Sequence, residues 1–132
     1  MKITTTEKAP QIPGLSQAIV ANGTVYLSGQ TGTDPETKQL SGESVEEQTR
    51  QSLTNIKNIL EATGCDLKSV VKVVVYVSDM SEMKGFNGVY GEFFRDHSPA
   101  RAAVAVAGMA KNAKVELDVT AVVPSSGKRQ EI

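Results

Sequence analysis

Val70-Val71-Lys72-Val73-Val74-Val75-Tyr76-Val77 is the stretch that decides the fold. β-Branched and aromatic residues in an unbroken run fit a pleated, buried surface, so the segment reads as a central strand. Its alternation gives one wholly apolar face of Val71, Val73, Val75 and Val77, and one mixed face of Lys72, Val74, Tyr76 and Ser78. The apolar face needs a layer of helix, and the flanking sequence supplies two candidates. Upstream, Ser44-Val45-Glu46-Glu47 is a capping box, and Val45, Thr49, Ser52/Leu53, Ile56 and Ile59/Leu60 recur at helical spacing to about Ala62, with Gly64 placed to end the helix. Downstream, Asp79 to Asp96 carries Met83, Phe86, Tyr90, Phe93 and Phe94 as a second amphipathic stripe. Gly85, Gly88 and Gly91 weaken it, so packing must hold it.

Further strands lie outside these helices. Arg101–Val106 and Lys114–Val122 follow the second helix. The last alternates strictly, with Val115, Leu117, Val119 and Ala121 opposed to Glu116, Asp118, Thr120 and Val122. At the other end, Asn22-Gly23 is a hairpin turn between a strand starting near Gln17 and Thr24–Ser28. A short strand and a Pro-Gly loop precede it. The expected architecture is α+β, a single sheet with two helices packed on one face. The uncovered face would carry Tyr26, Ser28, Lys72, Val74, Tyr76, Arg101, Ala103, Ala105, Glu116 and Asp118. That mixture suits a subunit interface with a built-in site, hence a homo-oligomer. One domain over 1–123 and a polar tail over 124–132 are expected.

Composition narrows the function. The 132 residues carry a net charge of −1 and no Trp, which gives no bulk attraction for RNA or anionic membrane and few stacking platforms. No run reaches transmembrane length. One Cys and one His leave no intrachain disulfide and no ordinary zinc set. The cytoplasm is the expected compartment, with the mitochondrion as the alternative.

Arg101 and Glu116 stand out, since a cation opening an Ala/Val strand needs an explanation. If alternation holds, both lie on one face. Either Arg101 clamps a carboxylate or phosphate while Glu116 handles protons, or the two form an ion pair at a strand edge. Ser28-Gly29 offers a hydroxyl beside bare amides, or simply a strand-ending turn. Asn87 either reaches a site from the second helical segment or is a turn residue beside glycines, His97 reads as a surface-loop histidine, and Lys72 is either a catalytic amine or, the preferred reading, a side chain reaching an edge.

Taken together, Ala9-Pro10, Tyr26-Leu27-Ser28-Gly29-Gln30-Thr31-Gly32, Gln51–Ile56, Glu61–Cys65, Val70-Val71-Lys72, Asn87 with Tyr90, Phe93-Phe94, Pro99-Ala100-Arg101 and Lys114-Val115-Glu116 resemble the RidA (YjgF/L-PSP) family of enamine/imine deaminases over residues 5–123. The resemblance implies a chorismate-mutase-like homotrimer with sites in clefts between subunits. It implies hydrolysis of 2-iminopropanoate and 2-iminobutanoate to 2-oxo acids and ammonia, with no metal or organic cofactor. By position, Arg101 would hold the substrate carboxylate with help from the Ala103 backbone, and Glu116 would place the attacking water. Ser28, Gly29 and Asn87 would line the pocket. The family's Ile-Gly-Pro-Tyr is Ile12-Pro13-Gly14-Leu15 here, so Leu15 stands where the pocket Tyr would be, and Met109-Ala110-Lys111 replaces Leu-Pro-Lys. Other readings are a carboxylate-binding regulatory protein without turnover, an endoribonuclease or translation inhibitor, and a chaperone-like role.

Overall fold

A computed structural model of the chain describes residues 1–124. The polar tail expected over 124–132 lies outside them apart from Pro124. Strands β1 (Lys2–Thr4), β2 (Ala18–Ala21), β3 (Thr24–Leu27) and β4 (Gln30–Thr31) precede helix α1 (Val45–Ala62). Then come β5 (Val70–Val77), helix α2 (Met83–Phe93), β6 (Ala100–Ala105) and β7 (Val115–Val122). The sheet runs β1-β2-β3-β7-β5-β6, and β4 continues the β3 side of β7. All pairings are antiparallel except β5 with β6, for which α2 makes the crossover. This is the expected α+β sheet with both helices on one face.

Local chemistry explains the elements. Asn22 and Gly23 both take positive φ (50° and 77°), the type I′ geometry that matches strand twist. Ser44 Oγ accepts from Glu47 N at 3.1 Å, and the Glu47 carboxylate accepts from Ser44 N, closing the capping box. The α1 stripe is fully buried against Val73, Val75, Val77, Val115, Leu117 and Val119. Two buried polar residues of α1 fasten the helix to β4 and the residues just after it: Ser52 Oγ donates to Gln30 O (2.7 Å) and Asn55 Nδ2 to Thr33 O (2.9 Å).

Two expectations about faces need correction. Val71, assigned to the apolar face of β5, is 45% exposed, because a bulge between Val70 and Lys72 shifts the register and puts Val70 inside instead. His97 is half-buried rather than on the surface. Its Nε2 lies 2.6 Å from Val70 O, at the start of that bulge.

The second correction bears on function. Arg101, Ala103 and Ala105 pair with Val73, Val75 and Val77, all fully buried under the helices. Partners in a ladder share a face, so these three residues belong to the helix side of the sheet and not to the open side. The residues of β6 on the open side are Ala100, Ala102 and Val104, beside Lys72, Val74 and Tyr76. The reason is that β6 is an edge strand, exposed over most of its length on both faces. Ala-Arg-Ala-Ala-Val-Ala therefore carries no contrast between an inward and an outward phase.

Candidate active site

The corrected phase of β6 divides the candidate residues into two groups. The first forms where the β6 edge meets α2. Arg101 Nη1 donates to Asn87 Oδ1 at 2.9 Å. Its guanidinium carbon lies 4.9 Å from the Tyr90 ring centroid and 5.7 Å from that of Phe86. Ala103 follows two residues along on the same face and is partly buried. Among the described residues Arg101 enters no ion pair, and its side chain stands at an exposed position. The strand-edge ion pair with Glu116 is thereby ruled out within one chain.

The second group lies on the open side, where Glu116 pairs with Tyr76 across β5 and with Thr31 across β4. Between β3 and β4 the register against β7 slips by one residue, a bulge at Leu27-Ser28-Gly29. The bulge sets Gly29 directly against Glu116: a Cβ at Gly29 would run into Oε2 and stand 3.1 Å from Cδ. Glycine is thus required by close approach rather than by turn conformation. Glu116 and Gly29 line a groove of about 400 Å³ with Tyr76, Met109 and Asp118. Burial in this groove, and secondarily the charge of Asp118, push the Glu116 carboxyl above the ordinary glutamate range. Larger hollows elsewhere, such as the one of about 570 Å³ between Gln39–Glu43, Gln48 and Lys111–Lys114, contain none of the candidate residues.

Leu15 and Ser28 join the second group through the backbone. Ile12-Pro13-Gly14-Leu15 is a type II turn, with Gly14 at φ 86° and Leu15 N donating to Ile12 O at 3.1 Å. The turn is tied to Ser28, whose Oγ donates to Ser16 O (2.6 Å) and whose N–H donates to Gln17 O (3.0 Å). The Ser28 hydroxyl proton is therefore already committed. Gln17, buried, braces the segment before the turn by bonding Thr6, Ala9 and Pro10. Leu15 itself is 57% exposed on this fixed support.

The two groups do not meet in one chain. Arg101 is level with Val73 and Glu116 with Tyr76, three residues apart along β5 and on opposite faces. Strand rise and spacing put their backbones about 14 Å apart. Three residues were missed in the sequence. The Phe86 and Tyr90 rings support Arg101, and Asp118 shares the Glu116 groove. The four-residue spacing of Phe86 and Tyr90 was visible, but only the correct phase of β6 brings Arg101 over them.

A family model described as Endoribonuclease L-PSP matches residues 6–123. This chain belongs to the L-PSP (RidA) family. It is 44% identical over 122 residues to 2-iminobutanoate/2-iminopropanoate deaminase of Bos taurus, covering 92% of this chain and 89% of that one. It is 44% identical over 123 residues to Reactive Intermediate Deaminase A, chloroplastic, of Arabidopsis thaliana, covering 92% and 66%. Among solved structures it is similar to RidA from the Antarctic bacterium Psychrobacter sp. PAMC 21119 (TM-score 0.89, 40% identity, 93% and 100% of the two chains). It is also similar to E. coli TdcF with bound serine (TM-score 0.89, 33% identity, 94% and 100%). The α+β architecture of one sheet with two helices matches these solved relatives. No helix among the described residues is long and apolar enough to cross a membrane.

Proposed function

We propose that this protein hydrolyses 2-imino acids, with 2-iminopropanoate and 2-iminobutanoate as the model substrates, to 2-oxo acids and ammonia in the cytoplasm. The single observation that carries the reading is the Arg101 guanidinium, fixed by Asn87 and in no ion pair among the described residues, a planar fork suited to a carboxylate. The names and identities of the relatives support the same reaction.

The chemistry asks little of the protein beyond placement. The imine carbon is electrophilic once protonated, so no activated nucleophile is needed. Arg101 takes the substrate carboxylate, with the Ala103 backbone beside it. Glu116 orients water toward the C=N carbon and accepts its proton. Glu116 then returns that proton to the nitrogen of the amino alcohol, the C–N bond breaks as ammonia leaves, and the hydroxyl proton passes to solvent water as the C=O of the 2-oxo acid forms. A carboxyl raised in its groove is suited to exchange a proton in both directions. Ser28 acts indirectly, by holding the Leu15 turn and Gly29 in place. Leu15 supplies an apolar wall.

The two half-sites lie on opposite faces of one sheet, so the working site joins the Arg101 group of one subunit to the Glu116 groove of a second. The open face, with Tyr26, Val104 and Val122 about half exposed, is suited to such an interface in a homotrimer. The acidic Glu116–Asp118 groove disfavours phosphate, and this weighs against RNA cleavage there.

The test uses a pyridoxal-phosphate dehydratase that releases 2-iminobutanoate from threonine, with semicarbazide to trap the imine. The protein is expected to suppress trapping, and Arg101→Ala to abolish the suppression. Undiminished trapping with the wild-type protein would sink the proposal.

A further inference from the structure

An exposed arginine ordinarily samples many rotamers, and ordering it for a ligand opposes binding. Arg101 is held from two directions by different means. Asn87 Oδ1 accepts one Nη1 proton in the guanidinium fork. The rings of Phe86 and Tyr90, one helical turn apart with centroids separated by 5.3 Å, form a shelf within cation–π range. Tyr90 is backed in turn by Phe94, with ring centroids 4.7 Å apart. The Tyr90 hydroxyl is buried and has no hydrogen-bond partner among the described residues, so its ring, and not its oxygen, makes the contribution. Phe86 is fully buried and fills the core as well, whereas Tyr90 is half-buried with Arg101 over its ring.

We propose that Tyr90 is a positioning residue. Its ring sets the plane of the Arg101 guanidinium in the empty protein, so that the remaining donors form a ready fork for the carboxylate of a 2-imino acid. This deepens the proposed function and rests on it. The carboxylate keeps its charge throughout hydrolysis, so a pre-ordered clamp stabilises substrate and transition state alike. Its loss then appears in KM and not in kcat.

The experiment compares Tyr90→Leu with Tyr90→Phe. With 2-iminobutanoate generated by an amino-acid oxidase, Tyr90→Leu is expected to raise KM about three- to fivefold, with kcat within twofold. Tyr90→Phe keeps the ring and is expected to restore KM to within twofold of wild type. In parallel, 15N relaxation at Arg101 Nε in the ligand-free protein is expected to report an ordered side chain in wild type and Tyr90→Phe, and a mobile one in Tyr90→Leu. Equal KM in all three proteins, a loss in kcat alone, or an equally ordered Arg101 in Tyr90→Leu would overturn the proposal. The relaxation measurement needs no turnover. If wild type lacked deaminase activity, the proposed function would fail while the order of Arg101 still decided the role of Tyr90.

Discussion

Replacing Gly29 with alanine separates the geometry of the site from the stability of the fold. The new methyl would run into Glu116 Oε2 and approach Cδ to 3.1 Å and Cγ to 3.4 Å. To regain ordinary contact the carboxylate must retreat by about 1 Å. The obstacle is the end of a flexible side chain, and Gly29 has no positive φ, so the backbone accepts alanine without strain. Stability should change by no more than about 0.4–1 kcal/mol, the size of the unfolded-state effect of Gly→Ala. A displacement of about 1 Å at the group that places water, however, lowers kcat about 100-fold. Gly32→Ala is the contrasting case. Its methyl would meet the backbone of Gln48, with Cα at 2.5 Å and C at 2.7 Å, in the first turn of α1. That obstacle cannot swing aside, and about 1–3 kcal/mol of stability is lost. Thermal melts and steady-state rates of both variants decide the matter. A Gly29→Ala protein that keeps kcat within threefold of wild type would refute the reasoning.

Two further outcomes follow from the structure. Burial first, and the Asp118 charge second, raise the Glu116 carboxyl, so the fold binds more protons than the unfolded chain between the ordinary and the raised value. Ionising Glu116 thus lowers stability as pH rises through the native value, while activity that needs the carboxylate appears over the same rise. Asp118→Asn should move that inflection of the pH–rate profile downward without returning it to the ordinary range, because burial remains; an unmoved inflection would contradict this. Ser44→Ala removes the acceptor for Glu47 N and should lower stability by about 1 kcal/mol in a denaturant titration, with kcat unchanged.

Features set by strong local chemistry were legible in the sequence. The Asn22-Gly23 turn, the Ser44 box and the α1 stripe each depend on a few neighbouring residues, and all stand where the pattern placed them. Faces were legible only where alternation carried contrast. β7 alternates apolar with polar and its phase was read correctly, whereas Ala100–Ala105 offers small residues on both sides of an edge strand and its phase was not. Val71 failed for a different reason: a bulge is a property of pairing, which one strand does not announce. The site inherits these limits. The candidates Arg101, Asn87, Ala103, Ser28, Gly29, Leu15 and Glu116 could be named, but their division between two faces of the sheet could not. Tyr90 reads as core in the sequence because Phe86, Tyr90, Phe93 and Phe94 recur at helical spacing, the pattern of a packed face.

The division of the site between subunits is the central claim, and mixing two inactive proteins tests it most directly. Arg101→Ala and Glu116→Gln are each expected to be nearly inactive alone. If the two are denatured together and refolded into mixed assemblies, half the chains keep Arg101 and half keep Glu116. About a quarter of intersubunit sites then carry both, and about a quarter of wild-type activity should return. A mixture as inactive as its components would place both residues in the site of a single chain and contradict the account.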